Sequence, residues 1–149
     1  MTSKEEQVRE EIHRRLSGEA DIHIQRHRRI FVKVPREDLL KVARILADDM
    51  KVTHLSVITV RDNGKEFEAL YHFFVHGIVV TVKTSCPYDD AKLDSIVGIF
   101  PGAILYEREY KDILGIEPVG HPDPRRLLLP DDWTEGFPLR KDWKPAEVR

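Results

Sequence analysis

The sequence predicts an α+β domain: a single mixed β-sheet of about five strands with helices packed on it, followed by an extended C-terminal arm. Segments of alternating apolar residues and segments with helical apolar spacing follow one another through residues 1–116. Six of the nine prolines and both tryptophans lie after Glu117. We therefore divide the chain into an α+β domain at 1–116 and a proline-rich arm at 117–149.

The first helix is predicted from its start signal. Ser3-Lys4-Glu5-Glu6 has the serine–glutamate spacing of a capping box. Apolar residues then recur at every fourth position, and Gly18 is expected to end the helix. Two alternating strands, at 21–25 and 30–34, follow on either side of a charged turn.

A second helix is expected at 37–50, because two acidic residues favour its N-terminus and apolar residues then keep helical spacing. A β-branched strand at 52–61 follows. Asp62-Asn63-Gly64-Lys65 is a strong hairpin signal, since Asn and Gly tolerate the positive φ of a tight turn. The return strand and a further strand at 78–83, joined by His76-Gly77, complete a meander.

Two more helices are predicted after the meander. The first covers 89–98, with Leu93, Ile96 and Val97 facing inward, and the second covers 103–114 and is ended by Gly115. The predicted order is α–β–β–α–β–β–β–α–α, followed by the arm.

Composition excludes several classes of protein. The chain has 149 residues, of which 34% are charged and 41% hydrophobic, as in globular domains. No apolar run approaches the ~20 residues of a membrane helix, and no secretory signal precedes the domain, so we expect a soluble cytoplasmic chain. A net charge of −2 argues against general polyanion binding. Few amide side chains among abundant charge predict a heat-adapted source.

Familiar catalytic and metal-binding patterns do not occur in the sequence. The lone Cys86 cannot supply the four thiolates of a usual iron–sulfur cluster, and it has no neighbouring base pattern, so we interpret it as structural. His72 and His76 are four residues apart, but on a predicted strand and turn rather than a helix. The basic cluster at 26–29 lacks an aromatic platform, which favours a solvated turn or a surface for an acidic partner over nucleic-acid binding.

The arm has a composition suited to contact with another protein. Its prolines prevent a regular helix or a central strand, yet residues 127–129 and both tryptophans are too apolar for a linker left in water. A proline-stiffened segment has less entropy to lose on binding. We interpret the arm as a segment laid along a partner protein. The alternative is that it folds back over its own sheet.

One long motif spans the last predicted helix and the arm. It reads Glu107-Arg108-Glu109-x-x-Asp112-x-x-Gly115-Ile116, then Gly120-His121-Pro122-Asp123-x-Arg125-Arg126-Leu127-Leu128-Leu129-Pro130-Asp131-Asp132-Trp133, then Pro138-Leu139-Arg140-Lys141-Asp142. This motif resembles the signature of the C subunit of NADH–quinone oxidoreductase, the thirty-kilodalton subunit of respiratory complex I. Tyr71-His72 and Ser95-Ile96 also resemble family positions.

The resemblance implies a non-catalytic subunit that binds no cofactor itself, with iron–sulfur clusters, and NiFe or quinone, held by partner subunits. In the family this subunit packs against the large D-type (hydrogenase-like) subunit and the cluster-bearing small subunit. Its place is peripheral, on the cytoplasmic side of the cell membrane, with indirect membrane contact and no nucleic acid. The residues that the resemblance places at the partner interface are Glu107, Arg108, Glu109, Asp112, Gly115, His121, Pro122, Asp123, Arg125, Arg126, Leu129, Pro130, Trp133, Pro138, Leu139, Arg140 and Trp143.

Three departures from the complex I pattern point to one branch of the family. Residues 100–105 replace a usual Trp-Pro-x-Ala-x-Trp, Ile113-Leu114 replaces Met-Phe or Leu-Phe, and Pro124 replaces leucine. With the compact length, they favour the homologous subunits of membrane-bound [NiFe] hydrogenases over a true NADH–quinone enzyme. We therefore expect an assembly subunit of a complex-I-like, ion-translocating oxidoreductase. The alternatives are a stand-alone interaction module, a small enzyme with a pocket at the meander, and a nucleic-acid-binding domain that uses the cluster at 26–29.

Overall fold

The fold is built on a five-stranded mixed sheet. The computed structural model describes residues 1–17 and 20–146. The strands are β1 (Asp21–Arg26), β2 (Arg29–Lys33), β3 (Leu55–Asp62), β4 (Phe67–Val75) and β5 (Ile78–Cys86). The sheet order is β1-β2-β5-β4-β3, and β2 and β5 run parallel while the other neighbours are antiparallel. This confirms the predicted fold class.

Both tight turns of the meander form where the sequence predicts them. Asn63 Oδ1 accepts the backbone N–H groups of Lys65 and Glu66, at 2.8 and 2.9 Å, and so closes the β3–β4 hairpin. His76 and Gly77 have φ angles of +51° and +87° between β4 and β5. Two consecutive left-handed residues match the right-handed twist of the flanking strands.

Within residues 1–17 and 20–146, three α-helices accompany the sheet. α1 (Lys4–Arg15) begins with the predicted capping box, in which Ser3 Oγ accepts the Glu6 N–H and Glu6 accepts the Ser3 N–H. The predicted end of α1 at Gly18 lies outside the described residues. α2 (Leu39–Arg44) continues as a π-helical turn, and α3 (Ile104–Leu114) ends at the left-handed Gly115 as predicted.

The core lies between one face of the sheet and the helices. Alternate residues of β4 and β5 face inward and are almost completely buried, which follows from the two-residue period of a strand. Large core side chains include Ile12, Ile30, Leu46, Tyr71, Phe73, Val80, Ile96 and Leu114.

The predicted helix at 89–98 is wrong. The chain instead forms a short 3-10 turn at Tyr88–Asp90 and a strand, β6 (Lys92–Asp94). β6 pairs in parallel with β7 (Glu117–Val119), so that Leu93 lies opposite Pro118. The inward-facing apolar residues fit helical spacing, but this long-range pairing decides the conformation.

The arm begins within β7 and then follows the surface of its own domain. The Leu139 N–H donates to Ile113 O at 3.1 Å, at the end of α3. The Lys141 N–H donates to Asp62 Oδ2 at 2.9 Å, beside the β3–β4 hairpin. The described part of the arm therefore folds back on its own domain, which is the conformation that its composition did not favour.

Candidate protein-interaction site

The structure brings together most of the predicted site residues along one face of α3 and the facing part of the arm. Two residues of α3, Arg108 and Asp112, contact the backbone of residues 125–129 through side-chain hydrogen bonds. We call these two side chains and residues 125–129 the clasp. Arg108 and Asp112 lie one helical turn apart, which is why both reach the same stretch of the arm.

Asp112 holds one side of the clasp. Its side chain is buried, and Oδ2 accepts the N–H groups of Leu127 and Leu128 at 2.8 Å and that of Leu129 at 3.3 Å. Three consecutive N–H groups aimed at one oxygen form a concave site for an anion. Because these hydrogen bonds are charge-assisted, they are stronger than bonds between neutral groups.

Arg108 holds the other side of the clasp. Its Nε donates to Arg125 O at 2.9 Å, and one terminal nitrogen donates to Arg126 O at 2.8 Å. The rigid fork of a guanidinium suits two adjacent carbonyl oxygens. The backbone of residues 125–129 is thus bound in two ways, since Asp112 accepts its N–H groups and Arg108 donates to its carbonyl oxygens.

His121 fastens the start of the arm to the first turn of α3. Its Nδ1 accepts the Asp123 N–H at 2.9 Å, so the ring proton lies on Nε2, which donates to Ile104 O at 2.9 Å. Asp123 in turn pairs with Arg125 through two bonds of 2.7 and 2.8 Å. The Arg125 guanidinium holds the pKa of Asp123 below its usual range.

Glu107 requires a correction to its predicted place at a partner interface. Its side chain is completely buried, with Oε2 accepting the Ser95 hydroxyl at 2.6 Å and Oε1 accepting the Ile96 N–H at 2.7 Å. Burial raises the pKa of this carboxyl. Glu107 has no exposed surface for a partner, and it instead anchors the loop between β6 and α3.

A second contact joins the end of α3 to residues 137–140. Arg140 Nε donates to Leu114 O at 2.7 Å, and its guanidinium lies 5.0 and 4.4 Å from the ring centres of Phe67 and Phe137. A Cβ on Gly115 would lie 2.6 Å from Phe137, and the φ of Gly115 is +73°. Gly115 is therefore needed both to end the helix and to admit the arm.

The two tryptophans of the arm pack together. Their ring centres are 6.4 Å apart, Trp133 Nε1 donates to Gly136 O, and Trp143 Nε1 donates to Glu135 O. Both rings remain half-exposed. They shape the end of the arm without entering the core.

The side chains of three predicted residues make few contacts with the rest of the described chain. Glu109 lies on α3, and its side chain makes no hydrogen bond in the part of the chain that is described. Pro122 and Pro130 are exposed on the arm.

The β3–β4 hairpin helps to seat the arm, a role that sequence reasoning missed. Asp62 accepts the Lys141 N–H and the hydroxyl of Tyr88, besides the Gly64 N–H within its own turn. Burial acts to raise the pKa of Asp62, but these hydrogen bonds lower it overall. The hairpin motif accounted for Asp62 locally, so nothing in the sequence signalled the arm contact.

A groove of about 640 Å³ lies between α3 and the arm, lined by Lys111, Arg126, Trp133 and Phe137 among others. Across residues 1–17 and 20–146, no three His, Cys, Asp or Glu side chains are grouped so as to hold a metal ion. Burial raises the pKa of the Cys86 thiol to about 11. No helix within those same ranges is long and apolar enough to cross a membrane.

Comparison with known protein families shows the family to which this chain belongs. The family described as the 30 kDa subunit of respiratory-chain NADH dehydrogenase matches residues 32–148. The chain belongs to this family of oxidoreductase-complex subunits, which confirms the resemblance stated from the motif.

Relatives come from more than one kind of membrane complex. The C subunit of NADH-quinone oxidoreductase from Streptomyces coelicolor is 35% identical over an alignment 134 residues long, which covers 85% of this chain and 49% of that relative. The membrane-bound hydrogenase subunit beta of Pyrococcus furiosus is 32% identical over 128 residues, covering 80% and 74%. The chain thus spans about half the length of the first of these relatives.

A solved structure agrees with the fold. A chain of the membrane-bound sulfane sulfur reductase, an archaeal respiratory membrane complex, superposes with a TM-score of 0.78 at 25% identity. The match covers 95% of this chain and 86% of that one. Subunits of this type therefore occur in hydrogenase-like complexes as well as in NADH dehydrogenases.

Proposed function

We propose that this chain is a non-catalytic assembly subunit of a complex-I-like membrane-bound oxidoreductase, and that α3 and the arm pack against its large D-type subunit. One observation carries the proposal. Large apolar side chains are exposed on α3 and on the arm, with Leu105 at 51%, Leu128 at 58% and Leu139 at 57%. A partner that covers these leucines would remove their apolar surface from water, which favours association.

The proposal assigns cofactors to the partners. Among the described residues, the motif carboxylates Asp112 and Asp123 are engaged by the arm, and Glu107 is engaged by the loop before α3. These three carboxylates therefore serve structure. Iron–sulfur clusters, and NiFe or quinone, are proposed to lie in the large subunit and the cluster-bearing small subunit.

We place the complex in the hydrogenase-like, ion-translocating branch, with this subunit on the cytoplasmic side of the membrane. The alignment covers 74% of the hydrogenase subunit beta, against 49% of the Streptomyces relative. The superposition on the sulfane sulfur reductase chain supports the same branch. An NADH–quinone enzyme is the next candidate, because the Streptomyces relative has the higher identity.

Co-expression with the large and small subunits tests the assembly role. We expect the wild-type chain to co-purify with both, and the double variant Leu105→Asp/Leu139→Asp to lose that association. Val57→Asp, on an exposed position of β3, is the matched control for an added charge. A wild-type chain that purifies alone, or a double variant that assembles normally, would show that the proposal is wrong.

The branch is tested by activity of the assembled complex in native membranes. Hydrogen evolution from a reduced donor is expected, without NADH oxidation. NADH-dependent quinone reduction would instead assign the chain to the NADH–quinone branch, while leaving the assembly role intact.

A further inference from the structure

The only asparagine of the chain, Asn63, precedes Gly64 in the β3–β4 turn. Asparagine is among the thermolabile residues, and a following glycine has no side chain to hinder its own backbone nitrogen. The Gly64 nitrogen can attack Asn63 Cγ, so that a Cγ–N bond forms and the Cγ–Nδ2 bond breaks. Nδ2 leaves as ammonia with the proton of the Gly64 N–H. Water then opens the cyclic imide at either carbonyl carbon, which gives aspartate or isoaspartate.

The closed hairpin holds the side-chain amide of Asn63 through its oxygen and its nitrogen. Oδ1 accepts the N–H groups of Lys65 and Glu66 at 2.8 and 2.9 Å. Nδ2 donates to Glu68 Oε1 at 3.1 Å. Attack at Cγ makes this planar group tetrahedral and expels Nδ2, so these hydrogen bonds must break or distort first. The reaction is therefore coupled to local opening of the hairpin.

Glu68 is a fixed acceptor for that amide. Its side chain is almost completely buried, and it also binds the guanidinium of Arg61 and, at 3.1 Å, Nζ of Lys83. A carboxylate accepts hydrogen bonds but donates none. Because both cations already bind Glu68, a carboxylate formed from Asn63 would face an acceptor at the place where Nδ2 now donates. The product therefore loses the bond that closes this side of the turn.

Asp62 connects the same turn to the arm. Its Oδ1 accepts the Gly64 N–H and its Oδ2 accepts the Lys141 N–H, both at 2.9 Å. The hydroxyl of Tyr88 also donates to Oδ1. The backbone nitrogen that would attack Asn63 is thus held by the carboxylate that holds the arm. An opening of the turn at Asn63 should therefore weaken the seat of the arm as well.

We infer that Asn63-Gly64 is a covalent modification site which the closed hairpin keeps unreacted, and that conversion of Asn63 to aspartate or isoaspartate opens the turn and frees the arm at Asp62. Isoaspartate also lengthens the backbone of the turn by one carbon atom, which disturbs the pairing of β3 with β4. Every contact in this inference lies within the chain. It goes beyond the proposed function and does not depend on any partner.

The protection is tested by the rate of conversion in the purified full chain. Samples are kept at mildly alkaline pH in buffer and in unfolding urea, and mass spectrometry follows the peptide that carries residue 63. We expect conversion in buffer to be at least about tenfold slower than in urea, because opening must precede attack. Equal rates would overturn the protection. This comparison uses the wild-type chain alone, so it does not depend on whether a variant folds.

The part played by Glu68 is tested by the same assay in buffer. Glu68→Ala removes the acceptor of Asn63 Nδ2 and should raise the rate about threefold or more, since the hairpin opens more often. Glu66→Ala is the matched control, because it removes a carboxylate from the same turn and keeps the backbone N–H that Asn63 accepts. A Glu68→Ala rate equal to that of the control would overturn the role of Glu68.

The consequence for the arm is tested by amide hydrogen exchange in Asn63→Asp, which reproduces one product. Exchange at Gly64 and Lys141 should rise about threefold or more, because the turn opens more often. Asn63→Ser is the control, since a serine hydroxyl can cap the turn without a new charge. Unchanged exchange at Lys141 in Asn63→Asp would overturn the release of the arm. An equal rise in both variants would overturn the role of the new carboxylate.

Discussion

Glu107 accepts the backbone N–H of Ile96 at 2.7 Å from a completely buried position on α3. Its second carboxylate oxygen accepts the hydroxyl of Ser95. These two bonds fix Ser95 and Ile96, which directly follow β6 and lie outside any helix or strand. The buried carboxylate thus satisfies a backbone N–H group of this loop, as backbone hydrogen bonds do in the helices and strands of the domain.

We expect Glu107→Ala to destabilise the fold by about 2–3 kcal/mol, because the Ile96 N–H would be left buried and unsatisfied. Glu107→Gln should be much milder, since an amide oxygen can still accept that bond. Burial raises the folded-state pKa of Glu107 above its ordinary 4.5. The stability of the wild-type protein therefore falls as the pH rises from 4.5 through the folded-state pKa, because the buried carboxyl must ionise. The Gln variant does not ionise and should not show this loss. Urea unfolding at several pH values measures both effects, and equal losses in the two variants would contradict the role.

Gly115→Ala is expected to detach the end of the arm. A left-handed alanine alone costs about 1–2 kcal/mol, and its Cβ would also lie 2.6 Å from Phe137. Gly120→Ala is the matched control, because Gly120 has a similar φ of +82° with no atom within 4 Å of a Cβ. Thermal unfolding should show the larger loss for Gly115→Ala. Equal losses would mean that the arm does not press on Gly115.

Glu68 should make the domain sensitive to acid. Burial opposes its ionisation, but hydrogen bonds from Arg61, Asn63 and Lys83 lower its pKa to about 2, from an ordinary 4.5. A lowered folded-state pKa means that the stabilisation is complete above pH 4.5 and is lost as pH falls toward 2. Since Arg61 is largely exposed, we expect a contribution of about 1–2 kcal/mol. Glu68→Gln should remove that part of the acid dependence in urea unfolding, and an unchanged profile would contradict it.

Trp133 and Trp143 should report assembly by fluorescence. Both rings are half-exposed at the end of the arm, so a partner that covers the arm removes water from them. We expect the emission maximum to shift to shorter wavelength when the large subunit is added. Spectra that are identical in the free and assembled chain would contradict the placement of the arm at the interface.

Arg126→Ala should impair assembly more than Arg29→Ala. Arg126 lies exposed beside the leucines of the clasp, whereas Arg29 lies on β2 over the ring of Phe31. Loss of a charge at the edge of an interface mainly slows association, and the effect weakens at high salt. Binding kinetics at two ionic strengths compare the two variants. Equal rates would remove the distinction between the clasp and the basic turn.

Local signals predicted the local structure well. The capping box at Ser3 and Glu6, the hairpin at Asn63 and the left-handed end of α3 at Gly115 depend on contacts within a few residues, so they can be recognised in sequence. The mixed sheet also followed from the order of alternating and helical segments. The heat-adapted source, predicted from composition, stays a prediction.

The periodicity of apolar residues could not predict the pairing of strands that are far apart in the chain. Leu93 and Ile96 have helical spacing and are buried as expected, but Leu93 lies in β6 opposite Pro118 of β7. Two three-residue strands that are far apart in the chain leave no local signature. The parallel pairing of β2 with β5 likewise depends on the fold as a whole.

The motif residues show the same difference between what the sequence can predict and what depends on the tertiary structure. The sequence by itself singled out the Glu107–Asp112 region and the arm, since these segments carried the family resemblance. Only the tertiary structure decided what they do: the buried Glu107 supports a loop, while Arg108 and Asp112 hold the backbone of residues 125–129. The physical reason is that the order of charged residues in the sequence does not specify which groups their side chains will bind. Whether a carboxylate meets a partner protein or its own backbone depends on where the folded chain places the nearest N–H groups.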